Sequence, residues 1–201
     1  MTKPIKQQDR PLTTIERVDL AVARAVELDD KRQPGRSVKA FAGLGDQPPM
    51  QLLSAGIVVG ALVTHNPRLR QAGLRMLCAH GLSTVAKGLV KNVVDRTRPN
   101  ATLEGRGYAL EPGQSKEKDL RSMPSGHSAG TIAAAGAAML DYPGAAPVIA
   151  AGALSICAAQ LPSKNHFLSD VVAGAAIGAA SAALACSLIP AAPDGTGVPG
   201  S

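Results

Sequence analysis

Apolar residues are unevenly spread along this chain. They gather in five stretches, at about 50–64, 71–92, 127–141, 144–161 and 168–189, separated by polar segments. The last is long enough to cross a bilayer, which takes about 20 apolar residues, and the third and fourth fall just short. The first is shorter still. The second carries Arg75, His80, Lys87 and Lys91, each costly against lipid, so its charged side must turn toward protein or water. The pattern predicts an all-α fold: a multi-pass transmembrane helical bundle of about five apolar helices over residues 50–190. Residues 1–49 form a polar N-terminal region. Within it, 1–14 are expected to be disordered, and Ile15 to Leu28 mixes Val18, Leu20, Val22, Ala25 and Val26 with charges, as a surface or interfacial helix does. Asp29 to Pro49, broken by Gly35, Gly43, Gly45, Pro34, Pro48 and Pro49, reads as a linker with a short helical turn around Val38 to Leu44. Residues 191–201 read as a flexible tail.

Composition sharpens this picture. The 201 residues suffice for one domain. Hydrophobic residues make up 45% but aromatics only 2%, with no Trp, so the apolar mass is small and favours close helix packing. Gly174 and Gly178 form a small-xxx-small pair, and Gly130, Ala134, Gly136 and Gly152 are similar in kind; all read as tight packing. The net charge of +6 calls for an anionic partner. Two Phe and two Tyr give little to stack bases on, which argues against nucleic acid and for membrane lipid or phosphate. Cys78, Cys157 and Cys186 have neither disulfide nor zinc-ligand spacing. The N-terminus lacks a secretory h-region, so insertion rests on the internal segments.

Three short patterns carry candidate chemistry. In the first, Lys91 and Arg98 stand seven residues apart, two helical turns, which would put both cations on nearly one face, with Pro99 ending the helix. Arg offers a planar fork to phosphate and Lys a compact charge. Alone, such a run is more often a membrane-surface anchor. The second is Pro124-Ser125-Gly126-His127-Ser128 at a helix start, where free N–H groups and the helix dipole favour an anion. His127 is placed to donate a proton to a leaving oxygen, although a plain Ser N-cap beside an incidental His accounts for the same residues equally well. The third is His166-x3-Asp170. At helical spacing the Asp170 carboxylate can accept from one ring nitrogen of His166 and leave the other as a nucleophile. A His–Asp pair capping a helix is the competing explanation.

Taken in order, Lys91-x6-Arg98-Pro99, Pro124-Ser125-Gly126-His127 and His166-x3-Asp170 resemble the three-part signature of the type 2 phosphatidic acid phosphatase superfamily, whose relatives include class A acid phosphatases and vanadium haloperoxidases. The resemblance covers about residues 50–190. It implies a membrane lipid phosphate phosphatase acting on phosphatidic acid, phosphatidylglycerol phosphate, an isoprenoid diphosphate or a sphingoid phosphate through a phosphohistidine, with no metal and no cofactor. By the same resemblance Lys91, Arg98, Ser125 and Gly126 would hold the phosphate, His166 would attack phosphorus, Asp170 would orient it, and His127 would serve as acid and then base. The chain departs from the signature where the third motif normally opens with Ser-Arg: Ala159 and Gln160 stand there, so a phosphate-binding guanidinium is missing. Lys164 is a candidate substitute. The departure also admits a catalytically weakened member acting as a membrane binding or scaffold protein, while a haloperoxidase is disfavoured because that chemistry belongs to larger, soluble relatives.

An even number of helices separates the Arg98 loop from the loop before His166, so all three motifs can meet on one face of a bacterial cytoplasmic membrane. Nine Lys and Arg in residues 1–49, with Arg68 and Arg70 beyond them, place the N-terminus and the site in the cytoplasm by the positive-inside rule. The family resemblance favours the outside. The loop 100–122, which carries Glu104, Arg106, Glu111, Lys116, Glu117, Lys118 and Asp119 among its charged residues, reads either as a cover that selects the head group or as a solvated loop.

Overall fold

A computed structural model describes residues 10–29 and 36–190; the expected N-terminal disorder at 1–9, part of the linker and the C-terminal tail lie outside the described residues. Helices dominate. α1 (Thr14–Asp29) and α2 (Arg36–Gly43) precede α3 (Gln47–Val63) and α4 (Pro67–Lys91). A short hairpin of β1 (Val94–Arg96) and β2 (Leu110–Pro112) encloses α5 (Pro99–Leu103). α6 (Gly126–Asp141), α7 (Ala146–Ala158) and α8 (Leu168–Leu188) follow.

α3, α4, α6, α7 and α8 occupy the five apolar stretches. Among the described residues, only α8, with 21 residues, is long and apolar enough to cross a membrane by length and composition; α3 and the segment Pro143–Ala158 are apolar but shorter. The expectation of five apolar spanning helices therefore goes beyond what their lengths and apolarity show: α4 is long enough, at 25 residues, but too polar. α6 is central and packs against α4, α7 and α8, while α3 lies on α4. Small side chains make this possible: the core at the α4–α6–α8 junction is Met76, Ala79, Ala133, Ala134, Ala137, Ala182 and Ala185. Gly178 lets α8 ride against α6, since a Cβ there would stand 2.5 Å from the Ala129 carbonyl oxygen.

The ends of the bundle differ. At one end Asn66 caps α4 by accepting from the Leu69 N–H at 2.9 Å. The start of α4 there meets the ends of α6 and α8: Arg75 pairs with Asp141 and donates to the Ile189 carbonyl at 2.7 and 2.9 Å. At the other end the C-terminus of α4 meets the N-termini of α6 and α8, and the hairpin and α1 close over that junction.

Two local expectations are corrected here. Lys91 and Arg98 do not share a helix face, because α4 ends at Lys91 with Asn92 as C-cap and Val94–Arg96 pairs antiparallel with Leu110–Pro112. Consecutive Val93 and Val94 suit a strand better than a helix. Arg98 is instead the extended N-cap residue of α5. Likewise α1 is more than a surface helix: Glu16, Asp19 and Leu20 are buried, Leu20 against Tyr108 and Phe167.

Candidate active site

The N-terminus of α6 forms one wall. After a cis Met123–Pro124 bond, the buried Ser125 caps the helix by accepting from the Ser128 N–H at 3.3 Å and from its hydroxyl at 3.0 Å. The Ser125 N–H donates to the Asp170 carbonyl at 2.9 Å, which ties α6 to α8. The next two N–H groups, of Gly126 and His127, make no hydrogen bond among the described residues. They open the positive end of the α6 dipole to the site.

The two histidines sequence analysis singled out do come together. The rings of His127 and His166 lie 6.0 Å apart, centre to centre. His166 is 3% exposed, and its Nδ1 sits 2.8 Å from the Ser122 carbonyl oxygen. A carbonyl can only accept, so Nδ1 carries the proton and Nε2 presents its lone pair. Burial, followed by the nearby charges of Arg98, Lys91 and His127, pushes the imidazole well below its ordinary pKa and keeps it neutral.

Asp170 is close by, but it does not touch His166 as the i, i+4 reading predicts. His166 precedes α8, whose N-cap is Phe167, so helical stacking does not apply. The Asp170 carboxylate accepts from the Phe167 N–H at 2.8 Å, from the Ser122 hydroxyl at 2.6 Å and from Arg96 at 2.6 Å. It steadies His166 indirectly, by fixing Ser122, whose carbonyl holds the imidazole.

Cations flank the pair. Lys91 donates to the Arg121 carbonyl at 2.8 Å. Arg98 donates through Nε to the Lys118 carbonyl at 2.9 Å and through Nη1 to Asn165 at 3.1 Å, leaving Nη2 without a partner among the described residues. Burial lowers the Arg98 pKa. The loop 100–122, read from the sequence either as a cover or as a solvated loop, thus supports Arg98 through its backbone. The Arg98 N–H also donates to the Asp119 carbonyl at 2.8 Å, and Asp119 is paired with Arg106 at 2.9 Å. Lys164 has a left-handed backbone, φ 55°, and borders a narrow cleft with Asp19, Val22, Pro99 and His166. Gln160 turns inward: its amide donates to the Ala42 and Ile156 carbonyls at 3.1 and 3.3 Å.

Three contributors had no motif to reveal them. Asp46, in the turn between α2 and α3, reaches His127 Nε2 at 2.7 Å. Arg96, 1% exposed, bridges Asp170 to Asp19 of α1 at 2.6 Å each and faces the Phe167 ring, 4.6 Å from its centre; these acids raise its pKa against the effect of burial. Lys87 stands one turn before Lys91, its Nζ against Gly126; only its i, i+4 spacing from Lys91 could have signalled it.

A family model described as the PAP2 superfamily matches residues 72–193, more than half of the chain and all three motifs. The protein belongs to the PAP2 superfamily. Among curated proteins none matches the chain. The fold is similar to the crystal structure of the first transmembrane PAP2 type phosphatidylglycerolphosphate phosphatase from Bacillus subtilis, with a TM-score of 0.62 and 18% identity over 88% of this chain and 87% of that one. The PAP2 match begins within α4, so Asp19 and Asp46 complete the site from outside it.

Proposed function

We propose that this PAP2 protein is an integral, multi-pass membrane phosphatase that hydrolyses a phosphomonoester or diphosphate of a lipid through a phosphohistidine on His166. The observation that carries this reading is the pair of imidazoles 6.0 Å apart, one neutral and held by a carbonyl, at a helix N-terminus flanked by Lys91 and Arg98. His166 Nε2 attacks phosphorus and the bond to the leaving oxygen breaks. His127 gives that oxygen its proton. Water then attacks the phosphohistidine, losing a proton to His127, and inorganic phosphate departs. Lys91, Arg98 and the free N–H groups of Gly126 and His127 stabilise the charge on the equatorial oxygens, so these groups suffice without a metal. Ser125 lines the same wall.

Two further features support a lipid substrate. Large apolar side chains point outward all round the bundle, among them Leu52, Val63, Val85, Val148, Val172 and Leu188, each at least 60% exposed, while the interior is mostly Ala; such a surface fits acyl chains. A cavity of 400 Å³ between α3, α4, α6 and α7, lined by Met50, Ile57, Met76 and Ile156, extends to Thr131, one turn below His127. It suits the tail of phosphatidic acid, phosphatidylglycerol phosphate or an isoprenoid diphosphate.

The test is phosphate release from a short-chain phosphatidic acid, and then from a panel of lipid phosphates, in detergent with EDTA present. The wild type is expected to turn over and His166→Ala to lose at least about 10³-fold, with an acid-labile phosphoenzyme formed only by the wild type. The inward-turned Gln160 favours a second reading, a membrane binding protein. Lipid phosphate binding without His166-dependent release would establish that reading and sink the first.

A further inference from the structure

Lys87 is half-buried on α4, and nothing in the three motifs uses it. Its Nζ lies 3.2 Å, and its Cδ 3.4 Å, from where a Cβ on Gly126 would stand. The ammonium is therefore laid against the first residue of α6. That is an unfavourable place for a cation, since the helix dipole is positive there and the N–H groups of Gly126 and His127 point the same way. Lys91 adds to the repulsion. Among the described residues Lys87 makes no hydrogen bond or ion pair, and Asp46, the one acid whose field acts on it, already holds His127. By contrast, the far-end cation Arg75 is fully matched by Asp141 and by carbonyl oxygens. A charge kept unmatched against a helix N-terminus is stabilised once an anion occupies the space in front of Gly126, which a side chain at that position would fill.

The geometry points to Lys87 as a third side-chain ligand of the phosphoryl group, reaching it across Gly126 and supplying the positive charge that the third motif lacks at Gln160. This rests on the phosphoryl-transfer reading of the site. Gln160 cannot supply it, being committed to the Ala42 and Ile156 carbonyls; Lys164 lines the cleft that α1 shares with His166, while the three atoms nearest to a Gly126 Cβ all belong to Lys87.

The full chain in detergent is assayed in two ways: hydrolysis of short-chain phosphatidic acid, and binding of inorganic phosphate by titration calorimetry without substrate. Lys87→Met is expected to weaken phosphate binding about tenfold or more, the worth of one charge-assisted hydrogen bond, and to lower kcat/KM about 10²-fold. Lys87→Arg should recover most of both, and Arg70→Met, at an exposed position on the far end of α4, should change neither. Unchanged phosphate binding in a folded Lys87→Met protein overturns the proposal. So does a loss that Lys87→Arg fails to recover and that comes with a lowered melting temperature, because Lys87 is then a packing element. A wild type that binds phosphate but releases none from any lipid sinks the phosphatase reading alone; the binding arm still decides Lys87.

Discussion

The two ends of the bundle handle buried charge in opposite ways. At the far end Arg75 meets Asp141 and the Ile189 carbonyl, and Arg68 donates to the Asp141 carbonyl at 2.6 Å while stacking over Tyr142. There each guanidinium caps a helix C-terminus and finds acceptors in place. At the site end Lys87, Lys91 and Arg98 gather at a helix N-terminus with carbonyl and amide contacts but no carboxylate bonded to any of them among the described residues. The acids nearby are committed elsewhere: Asp46 to His127, Asp170 and Asp19 to Arg96. One α4 helix thus carries matched charge that holds the bundle together and unmatched charge that leaves room for an anion.

Removing Arg75 tests this contrast most severely. Arg75→Met leaves Asp141 as a buried, unpaired carboxylate, which costs about 3–5 kcal/mol. Unfolding in detergent should show that loss, whereas turnover per folded molecule should hold, and the double variant Arg75→Met, Asp141→Leu should regain most of the stability. An Arg75→Met protein as stable as wild type would remove the distinction between the two ends.

A smaller effect is expected where the site end borrows the far end's device. Asp19 accepts from Arg96 at 2.6 Å and from the Ser169 hydroxyl and N–H at 2.5 and 2.9 Å, clamping α1 to the start of α8. Glu16, one turn before, is held near a pKa of about 2 by Arg10 and Thr13 in spite of its burial, and accepts from Tyr108 at 3.2 Å. Asp19→Asn should cost about 1.5–3 kcal/mol and speed hydrogen exchange in α1. Exchange in α1 equal to wild type would mean that the clamp lies elsewhere.

How much of this the sequence makes legible depends on how far apart the partners are. Apolar stretches, Gly-Ser-Pro punctuation and the His-Pro-Arg patterns are local, so the five helices and the positions of His127, His166 and Arg98 can be read along the chain. Asp46 on His127, the Ser122 carbonyl on His166 and Asp19 on Arg96 join residues 44 to 81 positions apart, and two of these three involve segments before the motifs. No periodicity encodes such contacts. The i, i+4 rule failed for His166 and Asp170 because it holds only inside a helix, and His166 is two residues outside one.

Gly174 offers a geometric probe of the site end. A Cβ there would collide with the Ser125 carbonyl, so Gly174→Ala should push α8 away from the start of α6. Overpacking of this kind costs about 1–3 kcal/mol. It should lower kcat more than Gly60→Ala, a position with open space around it. Equal kcat in the two variants would show that the α6–α8 approach does not set the catalytic geometry.

The gentlest probe is titration of His166. Protonation there is opposed first by burial and then by Arg98, Lys91 and His127, so the folded protein takes up this proton only well below 6.5, the ordinary value. The unfolded chain takes it up near 6.5 and so binds more protons in the interval between. Stability from this group is therefore full above about 6.5 and declines as pH falls toward the folded pKa. Lys91→Gln removes one opposing cation and leaves the burial, which must move the midpoint upward, and the neutral nucleophile should then be lost at a higher pH. Arg68→Gln, at the far end, changes charge by the same amount outside the set that acts on His166 and should leave the midpoint alone. NMR of labelled histidine, assigned with His166→Ala, reads both midpoints. A Lys91→Gln midpoint at or below that of the wild type would mean that the site-end cations do not act on His166 as a group.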